Sequence, residues 1–423
     1  MFQIVVRARR TSVPGSRLAL LAIFFVLGIV AMPTAASAET GGAGEFVEPP
    51  AGPIAEPAGS SPFDRQGQWI WYVSKSHGGS IARIIAQAHR FDIGTLYIKA
   101  GDGPDGWSQF TPGLVDALHA GGLDVCSWTF VYGNSPVAEA KIAAQSVRDG
   151  ADCYVIDAEG HYEGKYASAD RFIRALRARI GDEFPVSLAA FPYVDYHPSF
   201  PYSVFFGPGG ATYNQPQMYW RAIETTVRTV YEHTYFFNRL WDVPVYPLGQ
   251  TYGGANRREI RLFRRFGASY GGLQPSWWDW QETTNAGWRA LGADNLGPVF
   301  GYRPVTTHPL LRRGSRGDLV VWAQEHLRSA GENVPVTGVF GKITRAAVRD
   351  FQKQAGLKPD GTIGTATWEA LIRYDPVRWL WAGRRAKRDR GGTAPSRRAI
   401  PPSRPLSASL PAKGYEIHPG PRP

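Results

Sequence analysis

The chain has 423 residues, of which 43% are hydrophobic and 20% are charged. This apolar content is enough for a large buried core, which excludes a mostly disordered protein. The net charge of +11 lies at the two ends: residues 1–20 contribute +4, residues 384–423 contribute +8, and the remainder carries −1. A middle region without excess positive charge argues against a groove for nucleic acid, so no nucleic-acid partner is expected.

The first 38 residues have the three parts of a secretory signal. Several arginines precede an apolar run from Leu18 to Met32, and the small-residue site Ala36-Ser37-Ala38 follows. The apolar run has about 15 residues, fewer than the roughly 20 that a helix needs to span a bilayer. We therefore predict a signal peptide over residues 1–38 and a secreted protein. An uncleaved segment that anchors the chain is the alternative, and it would be the one expected contact with a membrane.

A linker rich in Gly, Pro, Ala and Glu is predicted over residues 39–63. From residue 64 to residue 300, strand-like apolar runs alternate with helix-like stretches. The predicted strands are 68–73, 95–100, 125–131, 153–159, 186–191, 217–220, 245–251 and 272–278, and the clearest predicted helices are 80–90, 137–148, 169–179, 226–238 and 256–266. This alternation over about 235 residues predicts an α/β fold, a TIM-type (β/α)8 barrel. A doubly wound sheet is the alternative, although no glycine fingerprint follows the first strand.

The two cysteines, Cys126 and Cys153, fall on neighbouring predicted strands. Two cysteines are too few for a disulfide scaffold or for a zinc site with three or four Cys ligands. The pair could form one bridge in an oxidising compartment, but two buried thiols are the favoured interpretation. The nine histidines are scattered without a zinc-binding pattern, so neither a metal nor another cofactor is expected.

Polar residues at the carboxyl ends of the predicted strands are candidates for the active site, because (β/α)8 enzymes place their sites there. The fourth strand ends with Asp157-Ala158-Glu159, and residues two apart on a strand face the same side. Two such carboxyls suit glycoside hydrolysis, in which one donates a proton and the other stabilises positive charge. A solvated acidic loop, a metal site and an ion-pair site are the alternatives.

Other strand ends supply candidate substrate-binding residues. Lys99 ends an apolar strand, where a buried ammonium needs a carboxylate partner such as Asp157 or Glu159. A lysine that reaches solvent at the rim is the alternative. The remaining candidates are Asp102 near the second strand, Tyr219 and Trp220 at the sixth, and Asp279 and Trp280 at the eighth. Aromatic faces can stack on sugar rings, but each could equally pack within the barrel.

Three motifs together resemble the glycoside hydrolase family 25 lysozymes over most of residues 67–290. They are Ile98-Lys99-Ala100 before an acidic glycine loop, Asp157-Ala158-Glu159, and Trp280-Gln281. The resemblance implies a muramidase that cleaves between N-acetylmuramic acid and N-acetylglucosamine, with Glu159 as the general acid. We expect Asp157 to stabilise charge, orient the substrate acetamido group or act as base, and we expect Lys99 to hold the charge of the carboxylates.

The first predicted strand departs from this family. Tyr72 stands where the family has a catalytic-site aspartate, and it is carried forward as a candidate substrate-binding residue. Asp279 or Asp102 could supply a third carboxylate. The other alternative is a barrel that binds glycan without cleaving it.

Residues 308–374 are predicted to form a small all-α domain with helices at 320–329, 344–354 and 365–372. Its motifs are Leu311 to Gly317, Thr337-Gly338-Val339-Phe340-Gly341, Asp360-Gly361 and Gly364 to Trp368. They resemble the three-helix peptidoglycan-binding domain of exported wall enzymes, which implies peptidoglycan as a partner and requires no metal. Residues 384–423, rich in Arg, Pro and Ser, are predicted to be a disordered basic tail.

These features predict a secreted, cell-wall-associated glycoside hydrolase of the muramidase type, anchored on peptidoglycan by its C-terminal domain. Such an anchor would raise the local concentration of substrate. A non-catalytic peptidoglycan-binding protein with a degenerate barrel is one alternative. A hydrolase that acts on another glycan is the second.

Overall fold

The computed structural model describes residues 61–293 and 296–381, which all belong to one compact unit. The predicted signal peptide (1–38), nearly all of the predicted linker and the predicted basic tail (384–423) lie outside the described residues. Within the described ranges, no helix combines the length and the apolar composition that crossing a membrane would require.

Eight strands form the wall of a barrel. They are β1 Gly67–Ile70, β2 Thr95–Asp102, β3 Asp124–Val131, β4 Cys153–Ala158, β5 Val186–Ala189, β6 Tyr213–Asn214, β7 Leu248–Gln250 and β8 Ser276–Trp278. Neighbours pair in parallel in the order β6-β5-β4-β3-β2-β1-β8-β7. Two parallel bridges, Asn214 to Val245 and Gln217 to Leu248, link the two ends of this sheet. The predicted α/β, TIM-type fold is confirmed.

Helices cover the outside of the sheet. They are α1 Ile81–Arg90, α2 Pro112–Ala120, α3 Pro136–Arg148, α4 Tyr166–Ile180, α5 Tyr202–Phe205, α6 Val227–Asn238, α7 Arg257–Ser269 and α8 Asn285–Leu291. Helix α4 shows why: Phe172, Ile173 and Leu176 recur at helical spacing, and all three are buried. Helix α2 was not among the clearest predictions, yet Thr111 caps it through its side chain and Pro112 occupies its first turn.

The sixth strand differs from the prediction of residues 217–220. The observed strand is Tyr213–Asn214. Gln217 makes a parallel bridge with Leu248, and local turns begin at Tyr219, whose N–H donates to the carbonyl oxygen of Gln217. Pro216 lies between these segments and has no N–H to donate to a neighbouring strand. Gln217 and Met218 still donate to Ala190, directly after β5, and to Leu248 of β7, whereas Tyr219 and Trp220 follow the strand instead of forming it.

Large aromatic side chains and a disulfide fill the inside of the barrel. Trp69 stacks on Tyr97 with ring centroids 5.0 Å apart, and Trp128 packs beside them. Cys126 and Cys153 are direct partners on β3 and β4, with Cα atoms 4.6 Å apart, and they are bonded to each other. The predicted placement on neighbouring strands is confirmed, but the favoured interpretation of two free thiols is wrong. Register partners at this separation lie within the range that a disulfide can join.

Three further helices follow the barrel: α9 Asp318–Ser329, α10 Lys342–Gln354 and α11 Thr365–Leu371. They pack directly on the barrel, and one apolar cluster contains residues of both parts. The Trp322 indole N–H donates to the carbonyl oxygen of Leu240 at 2.8 Å, and its ring meets Trp241 edge-on at 5.3 Å. The C-terminal helices are therefore docked on the barrel through buried side chains.

A buried carboxyl lies at the same contact. The Asp318 carboxyl, at the first turn of α9, accepts hydrogen bonds from the backbone N–H of Ser203 at 2.8 Å and from its hydroxyl at 2.6 Å. Burial raises the pKa of Asp318 to about 7. Its backbone N–H also donates to the carbonyl oxygen of Pro198 at 2.7 Å. The contact between α9 and the barrel thus has specific polar partners as well as an apolar core.

Candidate active site

Asp157 and Glu159 project from the carboxyl end of β4 on the inner side of the barrel. Cys153 and Val155, at alternate positions before them, lie in the inner core, so the same alternation turns both carboxyls inward. Glu159 directly follows the strand, and its backbone is still extended, with φ −129° and ψ −153°. Asp157 is buried, whereas Glu159 is half-buried. The predicted placement of two carboxyls on one face is what the structure shows.

The Gln217 side chain joins these two carboxyls. Its amide nitrogen donates to Asp157 Oδ1 at 3.2 Å and to Glu159 Oε1 at 3.1 Å. Sequence reasoning did not select Gln217, because an amide neither titrates nor stacks on sugars. The available signal was its position two residues before Tyr219, since residues two apart share a face where the backbone is extended.

Both carboxyls hold their protons more tightly than an exposed acid does. Burial raises the pKa of Asp157, the charge of Glu159 raises it further, and the ammonium of Lys99 acts in the opposite direction. Burial also raises the pKa of Glu159, against the hydrogen bond from Gln217. Two close carboxyls in a buried site resist simultaneous ionisation. The pair therefore favours one protonated and one ionised carboxyl, the states needed for acid catalysis and charge stabilisation.

Lys99 is buried in a cage of aromatic rings. Its ammonium nitrogen lies 5.1, 4.5 and 5.0 Å from the ring centroids of Trp71, Trp107 and Trp128. Its salt bridge is with Asp102, at 2.6 Å, and not with Asp157 or Glu159 as the sequence suggested. The register of β2 shifts between Lys99 and Gly101, and this irregularity brings the side chains at 99 and 102 together.

The salt bridge does not isolate Lys99 from the carboxyl pair, because its charge still lowers the pKa of Asp157. The Lys99 side chain is 3% exposed, so the alternative of a lysine reaching solvent is wrong. Asp102 also accepts a hydrogen bond from the Tyr132 hydroxyl, at 2.7 Å. Asp102 is therefore a partner of Lys99 and Tyr132 in this structure.

Tyr219 and Asp279 lie near the carboxyl pair. Tyr219 belongs to the inner core and meets Tyr252 edge-on at 5.6 Å. Burial raises the pKa of Tyr219, and the charges of Tyr252, Asp157, Glu159 and Asp279 act in the same direction. Burial raises the pKa of Asp279 to about 7, although its Oδ1 accepts the backbone N–H of Glu282. Tyr219 therefore lies within electrostatic reach of Asp157, Glu159 and Asp279.

Two predicted tryptophans lie elsewhere. Trp220 is fully buried against Phe263 of α7, with ring centroids 5.1 Å apart, and Trp280 packs against Trp288 of α8 at 4.8 Å. Both side chains fill the layer between the sheet and the helices, so the prediction that they bind sugar is wrong. The strand β8 ends at Trp278, whose side chain packs against the inner core, whereas Trp280 lies beyond the end of the strand and is not placed by its alternation.

Trp278 is a residue of the site that the sequence analysis did not select. It is partly exposed inside the barrel, and its ring centroid lies 5.6 Å from that of Trp71 and 5.4 Å from that of Trp128. Trp71 and Trp107 were missed as well, and both are half-exposed at the same end. Indole faces at this position suit stacking on sugar rings.

Tyr72 belongs to this aromatic surface. Its ring is nearly parallel to that of Trp71, at 8° and 5.6 Å, and lies 5.3 Å from Trp107. The ammonium of Lys75 lies 4.1 Å from its ring centroid. The end of β1 therefore presents aromatic faces where the family resemblance expects a carboxylate. Across the described ranges, no group of three or more His, Cys, Asp or Glu side chains is arranged to hold a metal ion.

Comparison with known proteins bears on the C-terminal helices. Residues 316–371 match the family model "Putative peptidoglycan binding domain". The spore cortex-lytic enzyme of Bacillus subtilis and an uncharacterised protein of Kitasatospora aureofaciens are each 43% identical to 68 residues, or 16%, of this chain. The chain spans 22% of the first protein's length and 58% of the second's. The peptidoglycan-binding resemblance of this region is thereby confirmed.

The barrel has a weaker similarity to solved structures. A family 25 glycosyl hydrolase from Bacillus anthracis aligns with 38% of this chain and 72% of its own, at 15% identity and a TM-score of 0.27. So partial an overlap adds no argument about activity. The family 25 resemblance of the barrel therefore stays a prediction from its motifs.

Proposed function

We propose that this chain is an exported glycoside hydrolase that cleaves the glycan strands of peptidoglycan and is held at the cell wall by its C-terminal helices. The observation that carries the proposal is the buried pair Asp157 and Glu159, bridged by Gln217 at the carboxyl end of β4. Burial raises the pKa of both carboxyls, which lets one of them keep a proton at neutral pH.

The geometry supports a division of roles. Glu159 is the more exposed of the two carboxyls and is the proton donor to the leaving oxygen. Asp157 lies deeper, is influenced by the Lys99 charge, and stabilises positive charge at the sugar carbon or orients the acetamido group. Trp71, Trp107 and Trp278 supply faces for the sugar rings. Gln217 positions the two carboxyls relative to each other.

The substrate follows from two independent features. The match of residues 316–371 to the peptidoglycan-binding model supports the cell wall as the location of the substrate. The motifs of the barrel resemble muramidases, which supports cleavage of the bond after N-acetylmuramic acid. Export is supported by the predicted signal peptide and by the Cys126–Cys153 bridge, since disulfides persist mainly in oxidising compartments.

Release of reducing ends from purified peptidoglycan tests this function. We expect residues 39–423 to sediment with insoluble peptidoglycan and to generate reducing sugar, with N-acetylmuramic acid at the new ends. Chitin, which lacks the lactyl group, should be a poorer substrate. Sedimentation without reducing ends from any chemical type of peptidoglycan would instead support a binding protein with a degenerate barrel, the alternative that Tyr72 favours.

Replacing Gln217 with leucine should shift the pH dependence of cleavage. The amide N–H groups favour the ionised forms of Asp157 and Glu159, so their loss raises the pKa of both carboxyls. Both limbs of the pH–rate profile should therefore move to higher pH. Gln215→Leu is the matched control, because Gln215 is equally buried but donates to the Ser276 hydroxyl. Identical profiles for the wild type and Gln217→Leu would contradict this role.

A further inference from the structure

Helix α10 has a basic face opposite its buried face. With 3.6 residues per turn, Lys342, Arg345, Arg349 and Lys353 fall within an arc of about 80° and extend over roughly 16 Å. The buried residues Ala347, Val348 and Phe351 lie on the other side. Lys342, Arg349 and Lys353 are exposed, and Arg345 is half-exposed. The side of α10 away from its buried residues therefore carries a row of positive charge.

A second group of cations continues this row. Arg312, Arg313 and Arg316 are exposed on the loop before α9. Backbone hydrogen bonds hold this loop beside the start of α10, since Gly314 N–H donates to Phe340 and Phe340 N–H donates to Ser315. The loop and the start of the helix are therefore neighbours, and we call their cations together the basic strip. It consists of Arg312, Arg313, Arg316, Lys342, Arg345, Arg349 and Lys353.

The charges of the basic strip are largely uncompensated. Within residues 61–293 and 296–381, its one ion pair joins Lys353 to Asp350, both of them exposed. The side-chain stems of Arg345 and Arg349 rest on Gly361, where a Cβ atom would lie 2.8 Å from one Cγ and 3.1 Å from the other. Packed stems limit the freedom of the guanidinium groups, which lowers the entropy lost when they bind a partner.

We propose that the basic strip binds a linear phosphodiester polymer of the cell wall, separately from peptidoglycan. A row of cations spaced by helical turns is complementary to a polymer with one negative charge in each repeating unit. The guanidinium group of arginine can bind two phosphate oxygens through parallel hydrogen bonds. The strip lies on the domain that matches the peptidoglycan-binding model, so it would meet such polymers where they accompany the glycan. This inference does not depend on glycan cleavage by the barrel.

Binding of soluble poly(glycerol phosphate) tests the proposal. We would use the mature chain with the ten basic residues of 384–423 changed to glutamine, so that the tail contributes no positive charge. In this background, Lys342→Gln, Arg345→Gln and Arg349→Gln together should weaken binding at least about fivefold. Binding should also fall as salt rises to about 0.5 M, where screening is short-ranged.

The matched control changes Arg83, Arg257 and Arg258, three exposed arginines on barrel helices, to glutamine in the same background. We expect this control to bind poly(glycerol phosphate) as tightly as the protein with only the tail changed. Peptidoglycan stripped of phosphate polymers should bind that protein, the strip variant and the control equally. Thermal unfolding checks that each variant is folded. If the triple variant does not fold, the double variant Lys342→Gln and Lys353→Gln replaces it in the binding measurement. Equal binding by the strip variant and its parent would overturn the proposal. Equal affinity for polyglutamate of similar length would also overturn it, because the strip would then recognise charge alone.

Discussion

Replacing Glu159 with glutamine should slow peptidoglycan cleavage by about 10²–10⁴-fold, the usual loss when a general acid is removed. Glutamine keeps the shape of the side chain and cannot donate the proton. Burial raises the pKa of Glu159, so the folded protein disfavours its ionised form, and a neutral amide should not lower the melting temperature. The variant should therefore lose activity while its stability is kept. Initial rates of reducing-end release and thermal unfolding measure the two quantities.

Glu163→Gln is the matched control for this prediction. Glu163 lies four residues further along the chain and bonds with His197 at 2.8 Å and with the Ser199 hydroxyl at 2.7 Å. We expect it to retain activity near the wild-type level.

Asp157→Asn should reduce the rate as well, because the transition state loses its negative partner. Full activity of the Glu159→Gln variant would contradict a catalytic role for the carboxyl pair.

Replacing Trp322 with alanine should destabilise the docked form by about 3–5 kcal/mol, as for other buried tryptophans. The change removes a ring packed on Trp241 and leaves the carbonyl oxygen of Leu240 without its donor. Because these contacts join α9 to the barrel, we expect one cooperative transition in the wild type and two separate transitions in the variant. Calorimetry and denaturant titration, followed by near-ultraviolet circular dichroism, would resolve them.

Trp368→Ala provides the comparison within the C-terminal helices. Trp368 is also fully buried, but its indole donates to the carbonyl oxygen of Pro309 inside the same region. It should destabilise that region without specifically loosening its contact with the barrel. A single transition in Trp322→Ala, with a loss under about 1 kcal/mol, would show that this contact does not couple the two parts.

The alternation of apolar and helical segments was enough to predict the barrel, because each β/α unit buries one face of its strand and one stripe of its helix. Alternation on β4 also predicted that Asp157 and Glu159 share a face. Local backbone irregularities were not predictable from this pattern. The shift in β2 pairs Lys99 with Asp102, and the sixth strand is Tyr213–Asn214, before the residues expected to form it.

The aromatic residues of the site show a second limit. Near the end of β8 the sequence contains Trp277, Trp278 and Trp280, and their types alone do not distinguish the inside of the barrel from the outside. Strand alternation alone would place Trp278 and Trp280 on the same face, but β8 ends at Trp278 and Trp280 lies beyond it. Trp278 proved to face inward, and Trp280 proved to fill the layer against α8. A search for titratable groups does not select Gln217, because its amide does not titrate, although it donates hydrogen bonds to both carboxyls.

The docking of α9 on the barrel constrains how the protein would work on a polymer. A binding module on a flexible linker lets its enzyme sample many orientations, and the linker length sets the reach. Here Trp322 and Asp318 hold α9 on the barrel, so a glycan strand bound by the C-terminal helices would meet Glu159 in one direction and at one offset. Cleavage would then recur at a set number of sugars from the point of attachment. The dimensions of the protein itself would determine the length of the fragments it releases.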